Sequence, residues 1–416
     1  MIEEEYFKQR FIDVYEYSLM NYKSGTGTFR ISDKEFQVKW ESVIPITGEC
    51  IFVISSEDSL GSLLQSTDIG NGELTGITDD REWSISTKLI ITNINFKTNI
   101  PSIVLTCLVR ILNLVKVSNN EINKKYLRGY ITNFDFLGME FTIRGERRVR
   151  DKFTVNVHDR QVVFQELEHK KLILEQINSN RIDKAILSTI TFPILDGENK
   201  EQTSHYIELI SWFLSLVNVK ATMVPLIEYY DNNNEIAEIE YHQLLSSRYH
   251  PNVIIDNHLC FGGLIQYFNE CYQVFVELDN DLALSSLVTS ILGMYEGKFL
   301  ENKLAGLILS YELLLTKYLV KSGSDFESIK ELSIQDKLRR VNTYLRFIPS
   351  HLLADTLRKD VRNALFHTGE ISVLSLNEKI EIYNEYYDLL IQITLRILNY
   401  RGKYINPKDY TAIDLL

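Results

Sequence analysis

The sequence predicts an α+β protein with a β-rich N-terminal domain, a mixed α/β middle segment and an all-α C-terminal helical bundle. Two observations carry this. From about residue 25 to 165, short runs rich in Ile, Val, Phe and Thr alternate with turn residues, as strands do. After about residue 266 the spacing of apolar residues lengthens to the 3.6-residue period of core-facing helices. The resulting divisions are 1–165, 166–265 and 266–402, with 403–416 as a tail.

Within the first division, Glu49–Ser55, Lys88–Phe96 and Tyr130–Phe136 have strand composition. The segment Gly72–Trp83 places Thr78-Asp79-Asp80 between two alternating runs, which predicts a hairpin with a polar turn rather than a metal loop. In the middle segment, amphipathic Tyr206–Val217 and apolar Ala221–Tyr229 precede the polar run Asp231–Glu235, a surface loop.

The helical third is read from stripes and caps. Leu300, Leu304, Leu307, Tyr311, Leu315 and Tyr318 form one stripe, ending near Gly323. Ser333 with Asp336 opens a second helix, with stripe Ile334, Leu338, Val341 and Leu345, which Pro349 breaks. Ser350 caps a third, with stripe Leu353, Leu357, Val361 and Ala364 and Gly369 as terminator. Ser375 and Glu378 make a capping box for a last helix reaching about Gly402. The sequence shows no internal repeat.

Composition narrows the function. A net charge of −12 over 416 residues excludes a protein that coats nucleic acid with its whole surface, while leaving room for a local basic site. The acidic start Met1–Tyr6 predicts no secretory signal and a cytoplasmic protein. The most apolar window, 100–115, is interrupted by Arg110 and is too short for a membrane helix. Cys50, Cys107, Cys260 and Cys271 lack metal-ligand spacing and read as reduced core thiols, so no metal site and no cofactor is expected. His205, His242, His250 and His258 are scattered and read as surface or hydrogen-bonded core residues. There is no phosphate loop, GxSxG elbow or HExxH, which removes support for NTPase, α/β-hydrolase and zincin readings.

The segment that can carry chemistry is Arg362-Asn363-Ala364-Leu365-Phe366-His367. On an ideal helix, residues five apart point about 140° from one another, so one straight helix does not pair Arg362 with His367. A helix ending near His367 instead places an imidazole at the negative pole of its dipole, with a permanent guanidinium one turn earlier. That combination suits a phosphodiester: His moves protons and Arg stabilises charge developing on phosphorus. Spacing alone is weak, since Arg346 and His351 repeat it across Pro349. Asn363 and the penultimate-helix setting favour the first pair.

This R-N-x-x-x-H motif before a last long helix resembles the HEPN superfamily, over roughly residues 266–402. The resemblance implies a metal-independent endoribonuclease in which Arg362 and His367 of two protomers form one composite site in a homodimer. It implies attack by the RNA 2′-hydroxyl, with Asn363 orienting the site, and it sets Glu312 where many HEPN domains carry a glutamate. The segment Gly72–Trp83 is similar to the N-terminal domain of ApeA-type proteins, which implies abortive-infection defence released by a phage-derived trigger.

From Asp336 to His367 seven Lys and Arg stand against three Asp, a net +4; Arg339, Arg340, Arg358 and Lys359 are the candidate RNA contacts. Arg144–Lys152 carries a net +3 and reads as an exposed hairpin or a second contact. The alternatives are a non-catalytic helical dimerisation or binding module, and a regulator whose β domain senses a small ligand.

Overall fold

The computed structural model describes residues 20–31, 34–56, 70–97, 102–117, 124–353, 357–368, 371–372 and 374–415. The expectations for Met1–Tyr6 and Gly369 lie outside the described residues. The protein is α+β, with an antiparallel β-barrel region toward the N-terminus and helices toward the C-terminus.

Two compact units are interleaved along the chain. The described residues as far as Asp135, with Val162–Ser204 and Met223–Tyr249, form the first. Phe136–Gln161, His205–Thr222 and the described residues from His250 onward form the second. Linear cuts at 165 and 265 do not follow these units, because strand pairing gathers segments far apart in sequence.

In the first unit, β1 (Met20–Ile31), β2 (Lys34–Ile44), β3 (Ile51–Ser56), β4 (Asn71–Thr78), β5 (Trp83–Lys97) and β6 (Ser102–Lys116) pair in the order β3-β2-β1-β4-β5-β6. β3 pairs again with β6, which closes the ring and removes its open edges. Phe29, Trp40, Phe52, Leu74, Leu105 and Cys107 fill its core.

β6 shows why the apolar window of 100–115 is a strand. Leu105, Cys107 and Val109 are buried at period two; after exposed Arg110 the buried set resumes at Leu112 and Leu114. The register skips at the same place, Lys88 facing Ile111 and Leu89 facing Val109. Arg110 is the extra residue of a β-bulge, which bends the strand. Before it β6 pairs with β3; beyond it β6 pairs with the strand Ile236–His242. The sheet continues from β6 through β13 (Ile236–His242), β12 (Leu226–Asp231), β7 (Lys124–Thr132), β11 (Ile186–Pro193) and β10 (Arg160–Glu166). α1 (Lys170–Asn178) packs Ile173 and Ile177 near Ile186.

The β4–β5 turn follows the sequence reading. Asp80 Oδ1 accepts from the Thr78 hydroxyl and, at 2.9 Å, from the Glu82 amide. The strand expected over Tyr130–Phe136 stops at Thr132, with Asn133 at φ +55°.

In the second unit β8 (Glu140–Arg144) and β9 (Arg147–Val157) form a hairpin. α2 (Lys200–Asn218) contributes Phe213, stacked 4.0 Å from Tyr267 of α3 (Gly263–Leu282). α4 (Leu284–Glu296), α5 (Leu300–Lys321), α6 (Phe326–Lys330), α7 (Ile334–Leu345) and α9 (Leu376–Ile397) follow. Leu304, Leu307, Tyr311 and Leu315 are buried as the α5 stripe requires, and Gly323 has φ +95° past its end. Ser333 Oγ accepts from the Asp336 amide at 3.1 Å, and Ser375 with Glu378 completes its capping box.

Three expectations are corrected. The segment from Ser350 is not one α-helix: a 3₁₀ turn (Ser350–Leu353) is followed by a π-helical turn (Leu357–Arg362) and then by α8 (Asn363–Thr368). Leu357 and Val361 remain buried, so the apolar stripe survives while the backbone winds more widely. α9 stops at Ile397 rather than Gly402, since Asn399 takes φ +64°. The expected tail is packed over its described residues, 403–415: β14 (Lys403–Ile405) pairs with β15 (Ala412–Asp414), Tyr404 is buried and the Ile405 amide donates to the Ile254 carbonyl at 2.7 Å.

Candidate functional site

α5, α7 and the π-helical turn converge on Glu312. Its Oε2 accepts from Lys337 Nζ on α7, and its Oε1 lies 3.6 Å from Arg362 Nε, on the last residue of the π turn. Lys337 is 2% exposed, Glu312 28% and Arg362 43%. A lysine that deeply buried needs a counter-ion, which fixes Glu312 from behind. The other carboxylate oxygen then steadies Arg362, whose half-exposed guanidinium has no second ion-pair partner among the described residues. One carboxylate between two cations leaves this triad net positive.

Asn363 opens α8 and is half-buried. His367, one turn further on, is exposed, next to exposed Phe366. Among the described residues no hydrogen bond or ion pair joins His367 to Arg362, as their five-residue separation anticipates. Neither side chain is entombed: a single chain offers one imidazole and one guanidinium to solvent, enough to bind a phosphodiester but one proton carrier short of both protonating a leaving group and deprotonating a nucleophile.

The basic residues counted around the motif divide. Lys337 is internal, and Arg339 is engaged twice, with Asp336 Oδ1 at 2.8 Å and as donor to the Leu353 carbonyl at 3.0 Å. Arg339 thereby ties α7 to the 3₁₀ turn, with Asp336 offsetting its charge. Arg340 is exposed on α7. The side chains of Arg358 and Lys359 lie outside the described residues. The net +4 of the sequence therefore overstates the exposed charge. Lys337 was legible as internal, since it falls on the Ile334, Leu338, Val341 stripe.

The competing pair separates as Pro349 requires. Arg346 is the left-handed cap of α7 at φ +58°, whereas His351 lies in the 3₁₀ turn. His250 stacks 4.4 Å from Tyr295, and burial, aided by the Lys220 charge, pulls its imidazole down to about 4. It is a neutral packing residue at physiological pH. The four cysteines are free and buried, and burial raises each thiol. Among the described residues no group of three or more His, Cys, Asp or Glu could hold a metal ion, and no helix is long and apolar enough to cross a membrane.

The first unit holds a cavity of about 400 Å³, lined by Lys124, Lys125, Asn199, Lys200, Thr203 and Tyr229 among others. At its floor Lys124 and Lys200 both pair with Glu238, and Lys200 also with Glu240. Asn199 caps α2: its Oδ1 accepts from the Gln202 amide at 2.9 Å while its own amide donates to Gln202 Oε1 at 3.1 Å. Sequence periodicity carries no signal for this cavity, whose walls come from three separate segments.

Comparison of the chain with protein-family models, curated proteins and solved structures found no match.

Proposed function

We propose that this chain is a metal-independent, HEPN-type endoribonuclease of the ApeA kind, acting in defence against phage. Two copies contribute Arg362 and His367 to one site. One His367 takes the proton of the RNA 2′-hydroxyl, the other protonates the departing 5′-oxygen, and the two Arg362 guanidiniums stabilise charge on the phosphorane. The products are a 2′,3′-cyclic phosphate and a 5′-hydroxyl end. Asn363 orients the site, and Glu312, held by Lys337, positions Arg362. The observation that carries this reading is the half-exposed Arg362, steadied by Glu312 on a π turn, with exposed His367 on the helix that follows. The protein acts in the cytoplasm and is released by a phage-derived trigger.

The test is incubation of the full chain with RNA in EDTA, followed by mapping of new 5′-hydroxyl ends. His367→Ala is expected to lower cleavage by about 10²–10⁴-fold while leaving the oligomer unchanged in light scattering. Retained cleavage refutes the assignment. The cavity of the β-rich unit favours a second reading, a regulator that senses a small polar ligand through Lys124, Lys200 and Asn199. Under that reading a ligand bound there shifts the melting temperature, and no new RNA ends form.

A further inference from the structure

The β8–β9 hairpin carries a surface that the cleavage chemistry does not use. Its register sets Phe141 opposite Arg150 and Ile143 opposite Arg148, so these four share one face. Phe141 is 54% exposed and Ile143 80%. The Arg148 guanidinium lies 5.1 Å from the Phe141 ring centroid, a cation–π contact that holds ring and cation together. Negative charge is turned away: Asp151 is buried and accepts from the Thr142 hydroxyl at 2.7 Å, and Glu140 lies 3.5 Å from Lys152. Among the described residues none of Arg147, Arg148 and Arg150 has a carboxylate partner. Arg147 and Arg148 are exposed near the turn, beside Glu146, on a protein of net charge −12, whereas Arg150 is half-buried and donates to Met139 Sδ at 3.6 Å.

We propose that this hairpin binds single-stranded RNA, with Phe141 stacking on a base, Arg148 beside it contacting one phosphate and Arg147, exposed on the other face next to the turn, contacting another. The choice of RNA rests on the function proposed above; the surface is argued from its own residues. Exposed arginines with no carboxylate partner among the described residues, beside an exposed aromatic ring, match a flexible polyanion with flat bases. A lipid surface fits less well, because only two apolar side chains protrude and Arg148 already covers one.

The test uses the full chain carrying His367→Ala, so that RNA stays intact, and fluorescence anisotropy with a labelled 20-nucleotide oligouridine. Phe141→Ala is expected to weaken binding about tenfold. Arg147→Ala with Arg148→Ala is expected to reduce the slope of log K against log salt by about 1.4, for two phosphate contacts at about 0.7 each on a single strand. Arg148→Glu supplies a second variant at an exposed position, and equal melting temperatures show that all variants fold. Unchanged affinity and slope overturn the proposal. So does absence of oligouridine binding, or loss only of binding to phosphatidylserine-containing vesicles. A chain with its native residues that binds oligouridine through the hairpin yet cuts no RNA leaves this inference standing and removes the nuclease reading. One that cuts RNA while the hairpin variants bind normally does the reverse.

Discussion

Glu238 in the β-rich unit and Glu312 in the helical unit each pair with two cations, and the two clusters differ in balance. Glu238 is buried beside Glu240, the pair serves Lys124 and Lys200, and Tyr229 donates to Glu240 at 2.8 Å. Two carboxylates meet two ammonium groups there, so the cluster is neutral. Among the described residues Glu312 pairs with Lys337 and Arg362, and Arg362 is half-exposed. The same pairing motif locks a sheet in one place and leaves an excess positive charge in the other. Charge counted along a sequence cannot separate these cases; the number of carboxylates within reach of each cation can.

Three substitutions sharpen or break this contrast, taken from the largest effect to the smallest. Glu312→Gln leaves Lys337 buried without a counter-ion and is expected to cost about 3–5 kcal/mol of stability, read by urea denaturation. A loss below about 1 kcal/mol shows that the triad is not the anchor of the π turn.

Arg362→Ala removes a half-exposed partner at 3.6 Å and is expected to leave the melting temperature almost unchanged, because such pairs contribute little. RNA cleavage falls about 10²–10³-fold, as when one donor to a developing oxyanion is lost. A fall in stability without a fall in rate inverts the contrast and makes Arg362 structural.

Glu238→Gln addresses pH. Burial by itself raises the Glu238 carboxyl, but hydrogen bonds from Lys124 and Lys200 outweigh it and hold the group below the usual glutamate range. A depressed carboxyl contributes stability that is present above the unfolded value and is lost as pH falls through the folded one. Melting temperature against pH should therefore drop on the acid side in the unsubstituted protein and flatten there in Glu238→Gln. The effect is the smallest of the three, since Lys200 keeps Glu240.

Much of the fold is legible in the sequence. Strand composition locates β3 and β5, the Ser333 and Ser375 caps set the starts of α7 and α9, and the α5 stripe marks its buried face. These features are local: a cap or a stripe acts within one or two turns of the residues that make it. For the candidate site, residue types and spacing single out Arg362, Asn363, His367 and Glu312, but only the structure shows the buried Lys337 that links Glu312 to α7. The second partner of Arg339, the Leu353 carbonyl, stands fourteen residues away, beyond the reach of any local pattern.

By itself, the sequence determined the α+β class and the order of most elements, because side-chain period, caps and turn residues act on neighbouring backbone. Only the tertiary structure decided the closure of β3 on β6, the bulge at Arg110, the π turn before Asn363 and the pairing of β14 with β15. Each follows from burial and hydrogen bonding between segments that no local period relates. A closed ring leaves no unpaired edge, and a widened turn keeps Leu357 and Val361 in the core while Arg362 reaches Glu312.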